Sequence, residues 1–169
     1  MSDFTHVPTR QGLLYVAFVV AVLARRIVGW PVSSSMPTDF VLDALEQALY
    51  ARQPERDSSL VHHAGRGSQY VSIRYSDRLA EAGVGPSAGS KGDSYDNALA
   101  ETINGLYKAK MINRRGPWRT KEAVELATLE WVSWFNHHRL LKPIGYIPPA
   151  SAEAIYHRQF ASHAATGVA

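Results

Sequence analysis

The longest apolar run in the chain is Leu13-Leu14-Tyr15-Val16-Ala17-Phe18-Val19-Val20-Ala21-Val22-Leu23-Ala24, set between two shorter β-type segments. Its 12 residues fall short of the roughly 20 that cross a bilayer. Arg10 before it imitates the charged flank of a signal peptide, but the β-branched and aromatic content and the β-rich run that follows favour a central strand buried on both faces. The alternation of apolar and polar positions predicts strands over Phe4 to Val7, Leu13 to Val22 and Arg26 to Val32, with short hairpin-like connections between them. Pro31 has no N–H to give a ladder, so the third strand ends or lies at an edge there.

The period then changes. Thr38 and Asp39 are placed to cap a helix whose apolar positions Phe40, Val41, Ala44, Leu45, Ala48 and Leu49 recur at helical spacing to about Gln53. A short strand over Ser59 to His63 follows, then a helix over Val71 to Ala82 with Gly83 as its C-terminal stop, a short strand over Val84 to Ala88 and a Gly/Ser/Asp loop over 89–95. Ser94 or Asp96 opens the next helix, which runs to about Met111. On it Leu99, Ile103, Leu106 and Lys110 share one face, and Asn97, Glu101, Asn104 and Lys108 share another, so Glu101 points away from the core stripe. A last strong helix is predicted over Thr120 to His137, with Val124, Ala127, Trp131 and Phe135 buried. Pro143, Pro148 and Pro149 interrupt the chain before a short helix near Ala152 to Arg158, and a frayed tail is expected over 161–169. Residues 1–112 read as one α/β core and 113–160 as a helical part of the same domain.

Composition narrows the chemistry. With 169 residues, 18.7 kDa and 46% hydrophobic residues the chain can bury a core of its own. The absence of cysteine excludes disulfides and thiolate metal sites and fits a reducing cytoplasm. A net charge of +3 is compatible with nucleic acid without arguing for it. The segment 102–121 contains no acid while carrying Lys108, Lys110, Arg114, Arg115, Arg119 and Lys121. Such a run contacts phosphates or is a solvated face, and Trp118 within it can lie against a base or sugar. Trp131 and Trp134 read as core. His62-His63 and His137-His138 lack the spacing of a zinc site.

Several segments together carry a resemblance. His62-His63-Ala64-Gly65-Arg66-Gly67-Ser68-Gln69-Tyr70 and Gly92-Asp93-Ser94-Tyr95-Asp96-Asn97-Ala98-Leu99-Ala100-Glu101-Thr102 are joined by Asp3-Phe4-Thr5, by Arg25-Arg26-Ile27-Val28-Gly29-Trp30, by Trp134-Phe135-Asn136 with Arg139, and by Gly145-Tyr146-Ile147-Pro148-Pro149-Ala150. From about Asp3 to Ala154 the chain resembles the catalytic core of bacterial insertion-sequence transposases of the retroviral-integrase superfamily, of the second-reading-frame type. The resemblance implies an α/β, ribonuclease H-like mixed five-stranded sheet flanked by helices, with a C-terminal helical extension. It implies strand cleavage and transfer on DNA by two divalent metals, Mg²⁺ or Mn²⁺, held by three carboxylates. Asp3 and Glu101 match two of them, and Lys108 matches the family's basic residue at the DNA end, with Lys110, Arg114, Arg115 and Arg119 as further DNA contacts.

The departures are as specific. Gly65, separated from Glu101 by 35 residues, stands where the family has its second aspartate and offers a metal nothing, so the expected activity is very low. Ala64 and Ala21 stand where the family commonly has polar side chains, and Asp93 and Asp96 are replacement ligands or, for Asp96, a helix cap. Asp3 lies two residues from Met1, so the family's upstream DNA-recognition region is absent from this sequence and a fraying strand is expected to hold Asp3 poorly. Two uses follow: an impaired cutting domain, or a DNA-binding fragment that forms homo-oligomers or joins an intact transposase, in either case in a bacterial cytoplasm or nucleoid and not in a membrane.

Overall fold

The structure, a computed structural model, describes residues 1–53, 60–64, 70, 72–88 and 94–166. Five strands lie in the order β3-β2-β1-β5-β6: β1 is Ser2–Thr9, β2 Gly12–Ala21, β3 Arg26–Gly29, β5 Val61–Ala64 and β6 Gly85–Ala88. A two-residue β4, Val32–Ser33, adds a sixth strand by pairing with β2. β1, β2 and β3 are antiparallel, whereas β5 and β6 run parallel to β1, so the sheet is mixed. The helices are α1 (Thr38–Arg52), α2 (Ile73–Glu81), α3 (Ser94–Tyr107), a single turn α4 (Asn113–Arg115), α5 (Lys121–His137) and α6 (Pro149–Thr166). Among the described residues no helix is long and apolar enough to cross a membrane.

The apolar run becomes β2, and its alternation explains why it has no polar face. Leu14, Val16, Phe18 and Val20 enter one core with Ile103, Tyr107, Val124, Trp131 and Phe135, while Ala17 and Val19 enter a second with Phe40, Val41, Ala44, Tyr75 and Leu79. A strand covered on both faces has no reason to alternate in polarity. In the first core Phe18, Tyr107, Trp131 and Phe135 form a chain of ring contacts with centroids 5.1–5.7 Å apart. The buried stripe expected on α5 is the one observed.

Several boundaries move for identifiable reasons. The strand expected over Arg26 to Val32 breaks at Trp30 and Pro31 into β3 and β4, both on β2. The helix expected to be capped by Thr38 or Asp39 has Pro37 at that place, without a side-chain cap, and Thr38 is its first residue. Helix α2 starts at Ile73, where Ser72 Oγ accepts from the Tyr75 N–H, and Gly83 follows its last turn at φ +68°. The helix expected to reach Met111 is regular only to Tyr107; Lys108–Ile112 form a π-turn. That wider turn puts Met111 and Ile112 into the core and leaves Lys110 exposed, so Lys110 does not continue the Leu99, Ile103 and Leu106 face. Helix α6 is longer than the 152–158 expected because Pro149 opens it instead of breaking the chain, proline being well tolerated in a first turn. Ser59 and residues 89–93 lie outside the described residues.

Two polar clamps attach the C-terminal helices to the edge strand. Asn136 on α5 accepts from the Ile27 N–H at 3.0 Å and donates to the Ile27 carbonyl at 2.8 Å, pairing the backbone of β3 as another strand would. Glu153 on α6, itself buried, ion-pairs with Arg26 on β3 and Arg52 at the end of α1. On the opposite face, a Cβ on Gly29 would fall inside the contact radius of the Ala44 carbonyl oxygen and force α1 away from the sheet. Gly29→Ala is therefore expected to destabilise the fold by about 3 kcal/mol in urea unfolding. A midpoint unchanged from the unaltered chain would show that α1 is seated less tightly on the sheet than this approach requires.

Candidate active site

Asp3 lies in β1 opposite Phe18 of β2. The start of that strand is tied down rather than frayed, contrary to the expectation from its place in the sequence. The Met1 nitrogen donates to the Val20 carbonyl at 3.0 Å, the Val20 N–H donates to the Met1 carbonyl at 2.7 Å, and Met1 and Ser2 are both buried. Beside them Ser2 is in register with Ala64, the residue before Gly65. Gly65, Asp93 and the side chain of Asp96 lie outside the described residues.

Helix α3 brings the second carboxylate. Its buried positions Leu99, Ile103 and Tyr107 fix its rotation on the sheet, which leaves Glu101 exposed on the far side, as the helical period implies. Asn104, one turn after Glu101, donates from Nδ2 to Asp3 Oδ2 at 2.8 Å across 101 residues of sequence. The Asp3 carboxyl is held above the usual carboxylate range, first because burial disfavours its charge and also because Glu101 is near. The Phe4 N–H and the Asn104 amide oppose that shift by donating to it. Periodicity alone places Asn104 on the Glu101 face, but no local signal in the sequence connects it to Asp3.

The donors are hard oxygens, which suits Mg²⁺ or Mn²⁺ in kind. In number they fall short of a conventional cage: among the described residues no three His, Cys, Asp or Glu side chains gather where they could hold a metal. One additional oxygen is at hand. Asn104 Oδ1 is shielded from solvent and has no hydrogen-bond partner among the described residues. The histidine pair offers no alternative site, since His62 is buried with the Ser2 hydroxyl at 3.0 Å and the Tyr75 hydroxyl at 2.9 Å from its Nε2.

The basic residues spread over the end of α3 and beyond. Lys108 is half-buried at the start of the π-turn; Lys110, Arg114, Arg115 and Arg119 are exposed. The fold supplies acids that the segment itself lacks: Arg115 pairs with Glu130 at 2.8 Å and Lys121 with Glu125 at 3.3 Å. Trp118, expected to be free for a base or sugar, instead packs on the core and donates its indole N–H to the Ile112 carbonyl at 3.1 Å. Trp131 is core as expected, whereas Trp134 is partly exposed under the Arg139 guanidinium, 5.6 Å from the ring centroid.

An integrase core domain model matches residues 1–94, and a second integrase core domain model matches residues 82–149. The chain belongs to the integrase core domain family. It is similar to the transposase for insertion sequence element IS629 of Shigella sonnei, 60% identical over 157 residues that cover 93% of this chain and 52% of that protein. The chain therefore spans about half the length of that curated relative. Among solved structures, the HTLV-2 integrase catalytic core domain in complex with magnesium superposes with a TM-score of 0.65 at 14% identity, covering 86% of this chain and 89% of that one. The catalytic core domain of BIV integrase superposes with a TM-score of 0.65 at 16% identity over 94% and 97% of the two chains. The integrase core fold, ribonuclease H-like as expected, is thereby established, and β4 is a sixth strand beyond the five expected from the sequence.

Proposed function

We propose that the chain acts as the core of an insertion-sequence transposase, in which Asp3 and Glu101 hold a divalent cation for phosphodiester cleavage and strand transfer. Its cutting is severely impaired because Gly65 brings no ligand. The observation that carries this reading is the Asn104 Nδ2–Asp3 Oδ2 hydrogen bond at 2.8 Å, which ties the strand of Asp3 to the helix that carries Glu101 one turn earlier. When bound, Mg²⁺ or Mn²⁺ would supply the Lewis acidity that activates the attacking oxygen and stabilises the leaving one. The protein's part is to fix Asp3 on a strand anchored at both Met1 and Val20 and to present Glu101 to the substrate side. Lys108, two turns after Glu101 on the same face, is positioned to meet a phosphate next to the cut. The test is Mn²⁺-dependent nicking of supercoiled plasmid: the unaltered chain is expected to stay near background and Gly65→Asp to cut.

DNA binding needs no intact metal site, and the exposed cations beyond α3 favour a second use as a non-catalytic fragment that joins an intact transposase. Lys110, Arg114 and Arg119 are exposed with no ion pair among the described residues, whereas Arg115 shares its charge with Glu130. Replacing Lys110, Arg114 and Arg119 by alanine is expected to weaken duplex binding and to flatten the slope of log affinity against log salt by about one for each phosphate no longer neutralised. Arg115→Ala should have a smaller effect than Arg114→Ala. Binding unchanged in the triple variant, measured by fluorescence anisotropy across a salt series, would reduce the basic segment to an ordinary surface.

A further inference from the structure

We infer that Arg10 and Arg119 together grip one phosphate of a DNA backbone, at the far end of a cationic track that begins beside Asp3. The inference rests on the reading of the segment after α3 as a DNA-binding surface, and adds to it a residue from a distant part of the chain. Two contacts fix the path of the track. Asn104 on α3 donates to Asp3 near the start of β1. Trp118 bridges Thr9 at the end of the same strand, where the Arg10 N–H donates to the Trp118 carbonyl at 3.0 Å. The chain from Asn104 to Trp118 therefore leads from Asp3 to the β1–β2 turn, and it carries Lys108, Lys110, Arg114 and Arg115 on the way.

At the turn the track meets Arg10. The Thr9–Trp118 bridge is parallel, so Arg10 and Arg119 are the next positions on two backbones that, as paired strands, lie about 4.8 Å apart. Both side chains are exposed, and neither has an ion pair among the described residues. The acids of α5 are engaged elsewhere: Glu125 with Lys121, Glu130 with Arg115, and Glu122 with a backbone N–H and the Thr120 hydroxyl. Two guanidinium groups held side by side by backbone contacts repel each other until an anion lies between them. A phosphate does this well, because its oxygens accept from two planar forks at once. Arg10 follows Asp3 by seven positions, roughly 23 Å at the rise of a strand. One DNA strand places a phosphate about every 3.4 Å of axis, so the two points are about seven phosphates apart. A continuous backbone uses the whole track, whereas a free phosphate uses only its end.

The experiment is fluorescence anisotropy of a labelled duplex of about two helical turns, across a salt series. The full chain is compared with Arg10→Ala, Arg119→Ala, the double variant and Arg158→Ala, an exposed arginine on α6 outside the track. Urea unfolding midpoints confirm that each is folded. Arg10→Ala and Arg119→Ala are each expected to weaken binding about fivefold, and the double variant by clearly less than the product of the two. The slope of log affinity against log salt should flatten by about one in the double variant, since one phosphate is released. Inorganic phosphate should compete no better than chloride at equal ionic strength. Arg10→Ala binding no more weakly than Arg158→Ala overturns the inference, while a loss in Arg119→Ala leaves the basic segment standing. Single effects that multiply, with a slope change of about two, also overturn it by showing two separate contacts. Selective competition by inorganic phosphate overturns the backbone assignment in favour of an isolated anion site. No binding by the unaltered chain overturns both the inference and the reading beneath it.

Discussion

Gly65→Asp is expected to raise Mn²⁺-dependent nicking by on the order of a thousandfold over the unaltered chain. An aspartate there would restore a third carboxylate, and with it the capacity to hold two cations along the path of the displacement. If the missing ligand removes ~4 kcal/mol of charge stabilisation from the transition state, the rate falls by about three powers of ten. Asp3 is on a strand whose first residues are buried and bonded to β2, and Ser2 is registered against Ala64, the immediate neighbour of the altered position. The added charge would also push the Asp3 carboxyl further up, since Glu101 already does so. The gain should therefore increase with Mn²⁺ concentration and with pH. A folded Gly65→Asp protein that nicks no faster than the unaltered chain would mean that Asp3 or Glu101 is not in working position.

Acid is expected to destabilise the fold through His62 before it affects most carboxylates. His62 is buried, and burial first, with the chain's amino group and His63 adding to it, lowers its pKa from 6.5 to about 3. The unfolded chain therefore binds a proton near pH 6.5 that the folded chain refuses. Stability from this group is complete above about pH 6.5 and is lost progressively as the pH falls from 6.5 towards 3. Between pH 7.5 and pH 4.5 the loss should be roughly 2–3 kcal/mol. Urea unfolding at the two pH values measures it. His62→Gln should be less stable at pH 7.5, because Ser2 and Tyr75 lose their ring partner, yet should lack this part of the pH dependence. An identical pH dependence in His62→Gln would assign the acid sensitivity elsewhere.

The elements legible in the sequence are those whose environment is uniform along their length. β2 is apolar throughout because both of its faces are covered, and α5 keeps a strict stripe because one face meets a flat core. The outward direction of Glu101 follows from the same logic. The π-turn at Lys108–Ile112 is not legible, since nothing in Lys-Ala-Lys-Met-Ile departs from helix-forming composition; the turn is the way Met111 and Ile112 both reach the core. The clamps are hidden for a different reason. Asn104 to Asp3, Asn136 to Ile27 and Glu153 to Arg26 each join residues more than a hundred positions apart, and a polar residue gives no sign of its partner in a linear pattern. The Arg115 pair with Glu130 is hidden in the same way, whereas Lys121 and Glu125 are spaced i, i+4 on α5 and can be read from the sequence. Asp3 and Glu101 are therefore visible as motif, and the Asn104 contact that ties α3 to Asp3 comes only from the fold.

That Asp3 and Glu101 are the working remainder of an integrase-type cutting site is tested most directly by comparing Mn²⁺-dependent plasmid nicking by Gly65→Asp with that by Gly65→Asp/Glu101→Gln. Nicking by the single variant and background rates for the double variant are the predicted result. Equal nicking by the two, in proteins that unfold with the same midpoint, would contradict it.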